Sequence, residues 1–266
     1  RRAWSLLNQL GRREEASEQA ESLCRAGQAN NAELISLLRR TDAFPAKLPS
    51  TKEPTDVFES GLGVARWYFT QSEFRKAIDE LKQQSDSKFE SAAASALYGR
   101  LLEETQSLDE FPDWHANCDL EQVQKLGDYW AALGTFFFDK REYQASAKAL
   151  LEAVMRNPTD RKTVQRLARV FDALGQADTA EQFRQRGIDL AQTEGLSDSL
   201  QTTTGQSLVE QQSLCDQLTG QLLQLDRPFV VLAWAQRMNA LKASNPGANP
   251  SGIAQQQQAL ERKRLE

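Results

Sequence analysis

The sequence predicts an all-α fold, a right-handed solenoid of stacked antiparallel helix pairs, and three observations predict it. Self-similar segments recur at a step of about 34 residues, the signature of an array of two-helix units. Within each segment apolar residues fall at i, i+3, i+4 and i+7, which places them along one face of a helix. Small residues occupy the same slot in successive segments, at Gly99, Gly134 and Ala168, where two helices must approach closely. Neither helix of such a pair buries its apolar face alone, so the units must stack on their neighbours, which leaves an inner groove.

The units follow in order. Residues 1–40 read as N-terminal helices with a partial unit, because Leu10 and Gly11 match Leu174 and Gly175, and Ala16, Ala20 and Leu23 continue a second-helix pattern. Residues 41–57 hold three prolines and read as an extended linker against the array. Residues 58–192 read as about four units. In the clearest of them Trp130, Leu133, Gly134 and Phe137 share a face, and Ser146, Leu150, Ala153 and Pro158 follow at helix-turn-helix offsets. One step on stand Val164, Leu167, Ala168, Phe171, Ala180, Arg184 and Gly187. Working back, Val64, Ala65 and Tyr68 match Tyr98, Gly99 and Leu102, while Ala77 and Leu81 match Phe111 and His115. From Gly99 to Gly134 the step is longer by one, which assigns an extra residue to the connection near Pro112 to Glu121. From Leu167 and Phe171 the next match is Leu218 and Leu222, one and a half steps on, so an insertion is expected at 193–207. The segment TEGLSDSLQTTTGQS, rich in turn formers, reads as an exposed loop. A further helix pair is expected over 208–242, and 243–266 as a tail leading into another module.

Trp130, Leu133, Gly134, Phe137, Leu150 and Pro158 together resemble the tetratricopeptide repeat pattern, with Ser146 where that motif prefers alanine. The resemblance implies a superhelix whose first helices line a concave wall. The combination of DYWAALGTFFFDKREYQASAKALLEAVMRNPTD with LLQLDRPFVVLAWAQR further resembles the helical arm of bacterial proteins that also carry an FG-GAP β-propeller and an ASPIC module. That second resemblance implies an extracytoplasmic or membrane-tethered parent; without it a cytoplasmic one is expected. The chain opens on Arg1, from which we expect a piece of a longer protein.

Charge and composition exclude several function classes. A formal net charge of −5 opposes a general nucleic-acid binder, which needs excess Lys and Arg to neutralise phosphates. No run approaches the roughly 18–20 apolar residues of a membrane span. Cys24, Cys118 and Cys215 are too far apart for a close-spaced metal site, and His115 is the one histidine. Asp113, His115 and Cys118 share a segment that could be read as a Cys/His couple, but His115 takes the same repeat slot as Leu81 and Leu150, a packing slot. The only G-x-G, at Gly61 to Gly63, sits in an amphipathic helix and not after a strand, so no phosphate or dinucleotide site is expected. The carboxylates at Glu103, Glu104, Asp109 and Glu110 read as solvated charge, and the tryptophans as core. No cofactor, no metal and no catalytic residue is expected.

Binding is therefore the expected function, a protein or peptide laid along the first helices. Groove candidates are Arg66, Arg100, Thr135, Phe138, Lys162, Arg166 and Arg169, with Phe69, Glu103, Asp128, Asp216 and Leu223 as further wall positions. Lys162, Arg166 and Arg169 stand at i, i+4 and i+3 spacing on one helical face, which favours a partner bearing acidic groups. Lys162 and Arg166 resemble the basic pair of chaperone-binding tetratricopeptide clamps, but Ala96, Arg100 and Ala132 fill the other clamp slots and oppose that assignment. A scaffold or dimerisation arm is the main alternative. A helical-repeat nucleic-acid reader would need a consistently basic groove and is disfavoured.

Overall fold

The computed structural model describes residues 1–45, 48, 52–83, 89, 91–202 and 208–243. These residues form helices and connections with no strand among them. No described helix is long and apolar enough to cross a membrane. The helices are α1 (Arg2–Gln9), α2 (Arg13–Arg25), α3 (Asn31–Leu38), α4 (Gly61–Thr70), α5 (Phe74–Gln83), α6 (Ala92–Glu104), α7 (Phe111–Ala116), α8 (Leu120–Val123), α9 (Gly127–Asp139), α10 (Tyr143–Arg156), α11 (Arg161–Ala173), α12 (Ala177–Thr202), α13 (Leu208–Gln224) and α14 (Pro228–Ala243). The chain divides into two compact units, residues 1–19 with 39–187 and residues 20–38 with 188–266.

In the first unit consecutive helices pack in succession, α4 on α5, α5 on α6, α6 on α9, α9 on α10 and α10 on α11. Side-chain caps start several of them. Ser60 Oγ accepts from the Gly63 N–H at α4, Ser91 Oγ from Ala94 at α6, and Asp160 Oδ1 from Thr163 at α11, each satisfying an otherwise orphaned donor. The same turn then recurs. Gly11, Ser72, Gln106, Arg141 and Gly175 all have φ between 57° and 75°. From Ser72 onward these turns keep the repeat step, and the extra residue falls between Gln106 and Arg141. At each, the next residue's N–H reaches back to the preceding helix, as from Glu73 to Tyr68 O and from Gln176 to Phe171 O, both 2.9 Å. Left-handed residues closing a helix in this way satisfy its last carbonyls.

Close approach explains the small residues. A Cβ on Gly134 would lie 2.6 Å from Leu150 Cδ2, so only glycine lets α9 and α10 meet as they do. At Gly99 the ring of Trp114 fills the place of a side chain. Around these contacts one apolar cluster gathers Leu97, Leu101, Phe111, Trp114, Val123 and Tyr129, and a second gathers Leu150, Leu167, Val170 and Phe171. The second helix of the α6 pair is interrupted. Pro112 starts α7, which ends at Ala116, and Asp119 caps the separate turn α8. In the linker, Pro54–Asp56 forms a single 3-10 turn, and the Phe44 ring packs 5.1 Å from that of Trp4. Residues 46, 47 and 49–51 of the linker lie outside the described residues.

The second unit packs α13 on α14 and α14 on α3. Leu34, Leu37, Leu218, Leu222, Val231 and Trp234 are buried in it. Arg227 donates to Leu37 O at 2.8 Å, and Arg237 to Asn31 Oδ1 at 2.8 Å. The turn at Asp226, φ 54°, follows the one at Gly175 by one and a half repeat steps. The expected exposed loop at 193–207 is corrected. Residues 193–202 continue α12 without a break, and Thr193 (1% exposed), Ser197 (0%) and Leu200 (8%) are buried. The reason is periodicity: Leu190, Thr193, Ser197 and Leu200 recur at helical spacing, and Gly195, in open space, is tolerated. Residues 203–207 and the tail beyond Ala243 lie outside the described residues.

Candidate functional site

Helices α4, α6, α9 and α11 supply most of the expected groove residues, and the structure joins several of them by charge. Arg66 on α4 is 3% exposed. Its Nη1 lies 3.2 Å from Asp128 Oδ2 on α9, its Nε donates to Gly11 O at 2.8 Å, and its Nη2 lies 3.5 Å from Glu14 Oε2 on α2. Arg100 on α6 is 2% exposed. Its Nη1 lies 3.1 Å from Asp160 Oδ2 and donates to Thr163 Oγ1 at 3.1 Å, both at the start of α11. Both arginines thus reach past the neighbouring first helix to the next one.

The chain of charge continues. Glu103 lies beneath Arg100 on α6 and pairs with Arg166 on α11. Lys162, one turn before Arg166, donates to Glu104 Oε1 at 2.7 Å, with its Nζ 5.8 Å and 5.7 Å from the ring centres of Phe69 and Phe74. Against the expectation of solvated charge, Glu103 is buried, because two arginines converge on it. Burial works against ionised Asp160, but Arg100 and the hydrogen bonds from Thr163 outweigh it and hold the carboxyl below its ordinary range. Arg100, also penalised by burial, is held above its ordinary range by Asp160, Glu103 and Asp128. Arg13, fully buried near Arg66, is pushed down to about 10 by its burial and that like charge.

The remaining candidates divide. Arg169 is exposed and forms no ion pair among the described residues. Thr135 is half-buried and donates to Ala131 O at 2.9 Å, and Phe138 packs its ring 5.7 Å from that of Tyr143. Asp216 and Leu223 belong to the second unit. The segment with the single histidine is a packed one. His115 stacks between Phe111 and Tyr129, at 6.5 Å and 5.9 Å, with its Nδ1 3.4 Å from Tyr129 Oη. Cys118 turns to other partners, Trp114 O and Ser95 Oγ, both at 3.3 Å. Among the described residues no three metal-ligating side chains converge.

The anionic half of this network is what the sequence pattern does not display. Its periodicity places Asp128 and Glu103 on the groove wall and gives no reason to single out Asp160. The partners stand 62 residues apart for Arg66 and Asp128 and 63 for Arg100 and Thr163, several residues short of two repeat steps, so the period alone does not pair them. No family model matches the chain, and no curated protein matches it.

Proposed function

We propose that the first unit is a non-catalytic, tetratricopeptide-like interaction module that receives a partner protein or peptide along its first helices, stacked as a right-handed solenoid. The observation that carries this reading is the lateral tie between first helices. Arg66 to Asp128, Arg100 to Asp160 and Lys162 to Glu104 are possible only where α4, α6, α9 and α11 present one common face. The internal pairs occupy the depth of that face, so the partner meets its margin, at Arg169, Thr135, Phe138 and the half-exposed stem of Lys162. An acidic group on the partner would pair with Arg169, the cation of this cluster without an internal counter-charge.

A photo-crosslinking residue at position 138 or 169, introduced into the protein in its native host, tests the reading. Both positions should capture the same partner, and a control at Met155, exposed on the second helix α10, should not. Equal capture at all three, or none at 138 and 169, would sink it. The same internal ion pairing also supports the scaffold reading, in which the stacked helices space neighbouring modules. Light scattering that finds a dimer dissociated by Arg169→Glu would favour that reading instead.

A further inference from the structure

The Arg66 end of the first-helix face is already covered, and by the chain itself. Residues 1–19, α1 and the first turns of α2, form an N-terminal arm within the first unit. α1 closes on Gly11, φ 71°, with the Arg12 N–H donating back to Leu7 O at 2.9 Å. Three carbonyls at this helix end are then taken by the start of α4. Glu59 N–H donates to Gln9 O at 2.9 Å, Ser60 Oγ to Leu10 O at 2.8 Å and Arg66 Nε to Gly11 O at 2.8 Å. The two backbones touch: a Cβ on Gly11 would lie 2.6 Å from Gly63 N, and one on Gly63 would lie 2.7 Å from Gln9 O. Glu14, three residues after the glycine, places Oε2 3.5 Å from Arg66 Nη2.

The arm holds this surface as a ligand would. Arg100, one repeat step after Arg66, takes its partners Asp160, Thr163 and Glu103 from α11 and α6. Of the three groups that meet Arg66 among the described residues, two, Gly11 O and Glu14, come from the arm. The grip runs largely through main-chain carbonyls, so it selects a helix end of the right shape more than a particular sequence. α1 has eight residues, too few to hold a helix in isolation, and its only aromatic ring, Trp4, packs on Phe44 of the linker. The seat is also imperfect. Burial pushes the Glu14 carboxyl up, and Asp128 across the shared guanidinium adds to this against the pull of Arg66. The buried Arg13 faces the like charge of Arg66. We infer that the arm is an autoinhibitory occupant: it closes the Arg66 end of the first-helix face until a partner presenting the same helix end, a left-handed glycine followed three residues on by a glutamate, displaces it.

The test uses the whole protein and, as the probe, a fluorescein-labelled peptide of residues 1–19, the arm itself. Gly11→Leu in the protein puts a side chain against Gly63 at a left-handed position and should lift the arm from its seat. Fluorescence anisotropy should then show saturable binding of the probe to this variant. Binding to the wild type should be about tenfold or more weaker, because there the tethered arm competes at a high effective concentration. A probe carrying Gly11→Leu should not bind, and one carrying Glu14→Gln should bind several-fold more weakly. Hydrogen exchange on the wild type gives a readout that needs no variant. The Glu59 amide, held by Gln9 O, should exchange at least about 100-fold faster than the amides of α10, because lifting the arm is a local opening. No saturable binding to a folded Gly11→Leu protein, equal binding to the wild type, undiminished binding of either altered probe, or a Glu59 amide as protected as those of α10 would each overturn the inference. None of these results depends on what photo-crosslinking captures at 138 or 169, so this inference and the proposed function can fail separately.

Discussion

Two charged regions of the first unit differ in how their charges are used. On the first helices Arg66, Arg100 and Arg166 meet Asp128, Asp160 and Glu103 inside the protein, and most of these groups are nearly dry. On α7 and at the start of α8, Asp113 and Asp119 face solvent with no ion pair among the described residues, and Asp119 caps α8. The same residue types are buried in ion pairs in one place and solvated in the other. The difference teaches that a basic stripe on a helix says little about a ligand until its counter-charges are located. Burying a guanidinium is costly unless the pairing is good, so the first region has every carboxylate it needs within reach.

The largest effect should come from opening the buried network. Arg100→Met leaves Asp160 and Glu103 buried with less to neutralise them, and the loss should be about 3–5 kcal/mol in urea denaturation followed by circular dichroism. A loss below about 1 kcal/mol would mean that the pair behaves like an exposed one and would erase the contrast. Next, Gly134→Leu forces a side chain into the space held by Leu150 and should cost at least about 1–3 kcal/mol, visible as a lower Tm.

Acid sharpens the comparison further. The folded-state pKa of Asp160 is depressed from an ordinary value of 3.8, so its contribution is fully present above that value and is lost as pH falls through the lower folded value. Below about pH 4 the wild type should therefore lose stability more steeply than Asp160→Asn, whose curve lacks this titration. Parallel Tm curves from about pH 5 to 2.5 would argue against a paired Asp160. Smaller still, Ser91→Ala removes the α6 cap and should cost about 1 kcal/mol. Smallest is Arg169→Glu, at an exposed and unpaired position, expected to shift stability by no more than about 0.5 kcal/mol.

How far the sequence speaks depends on the range of the interaction. Helix faces and small-residue slots are local, so Gly99 and Gly134 could be read directly, and each meets the large side chain its slot implies. The repeat step is visible in the turns, but at Ser72, Gln106, Arg141 and Asp226 a non-glycine residue holds the left-handed conformation. Composition alone does not reveal those four turns; the period places the ones at Ser72, Gln106 and Arg141. The misreading at 193–202 has the opposite cause. Gly195 and several hydroxyl side chains suggest a loop, while Thr193 and Ser197 are small enough to be buried on a helix face, with Thr193 Oγ1 donating to Asp189 O at 2.9 Å. The ion pairs are the least legible part, since they join helices two pairs apart. Groove side chains that look available, Arg66 and Arg100 above all, are occupied by partners that no local pattern displays.

Whether the first-helix charges are committed to one another is tested most directly by a double-mutant cycle on Arg100 and Asp160, using Arg100→Met, Asp160→Asn and the combination. A coupling free energy of about 2 kcal/mol or more is what the buried pair predicts. A coupling near zero, with the two single losses simply adding, would contradict it.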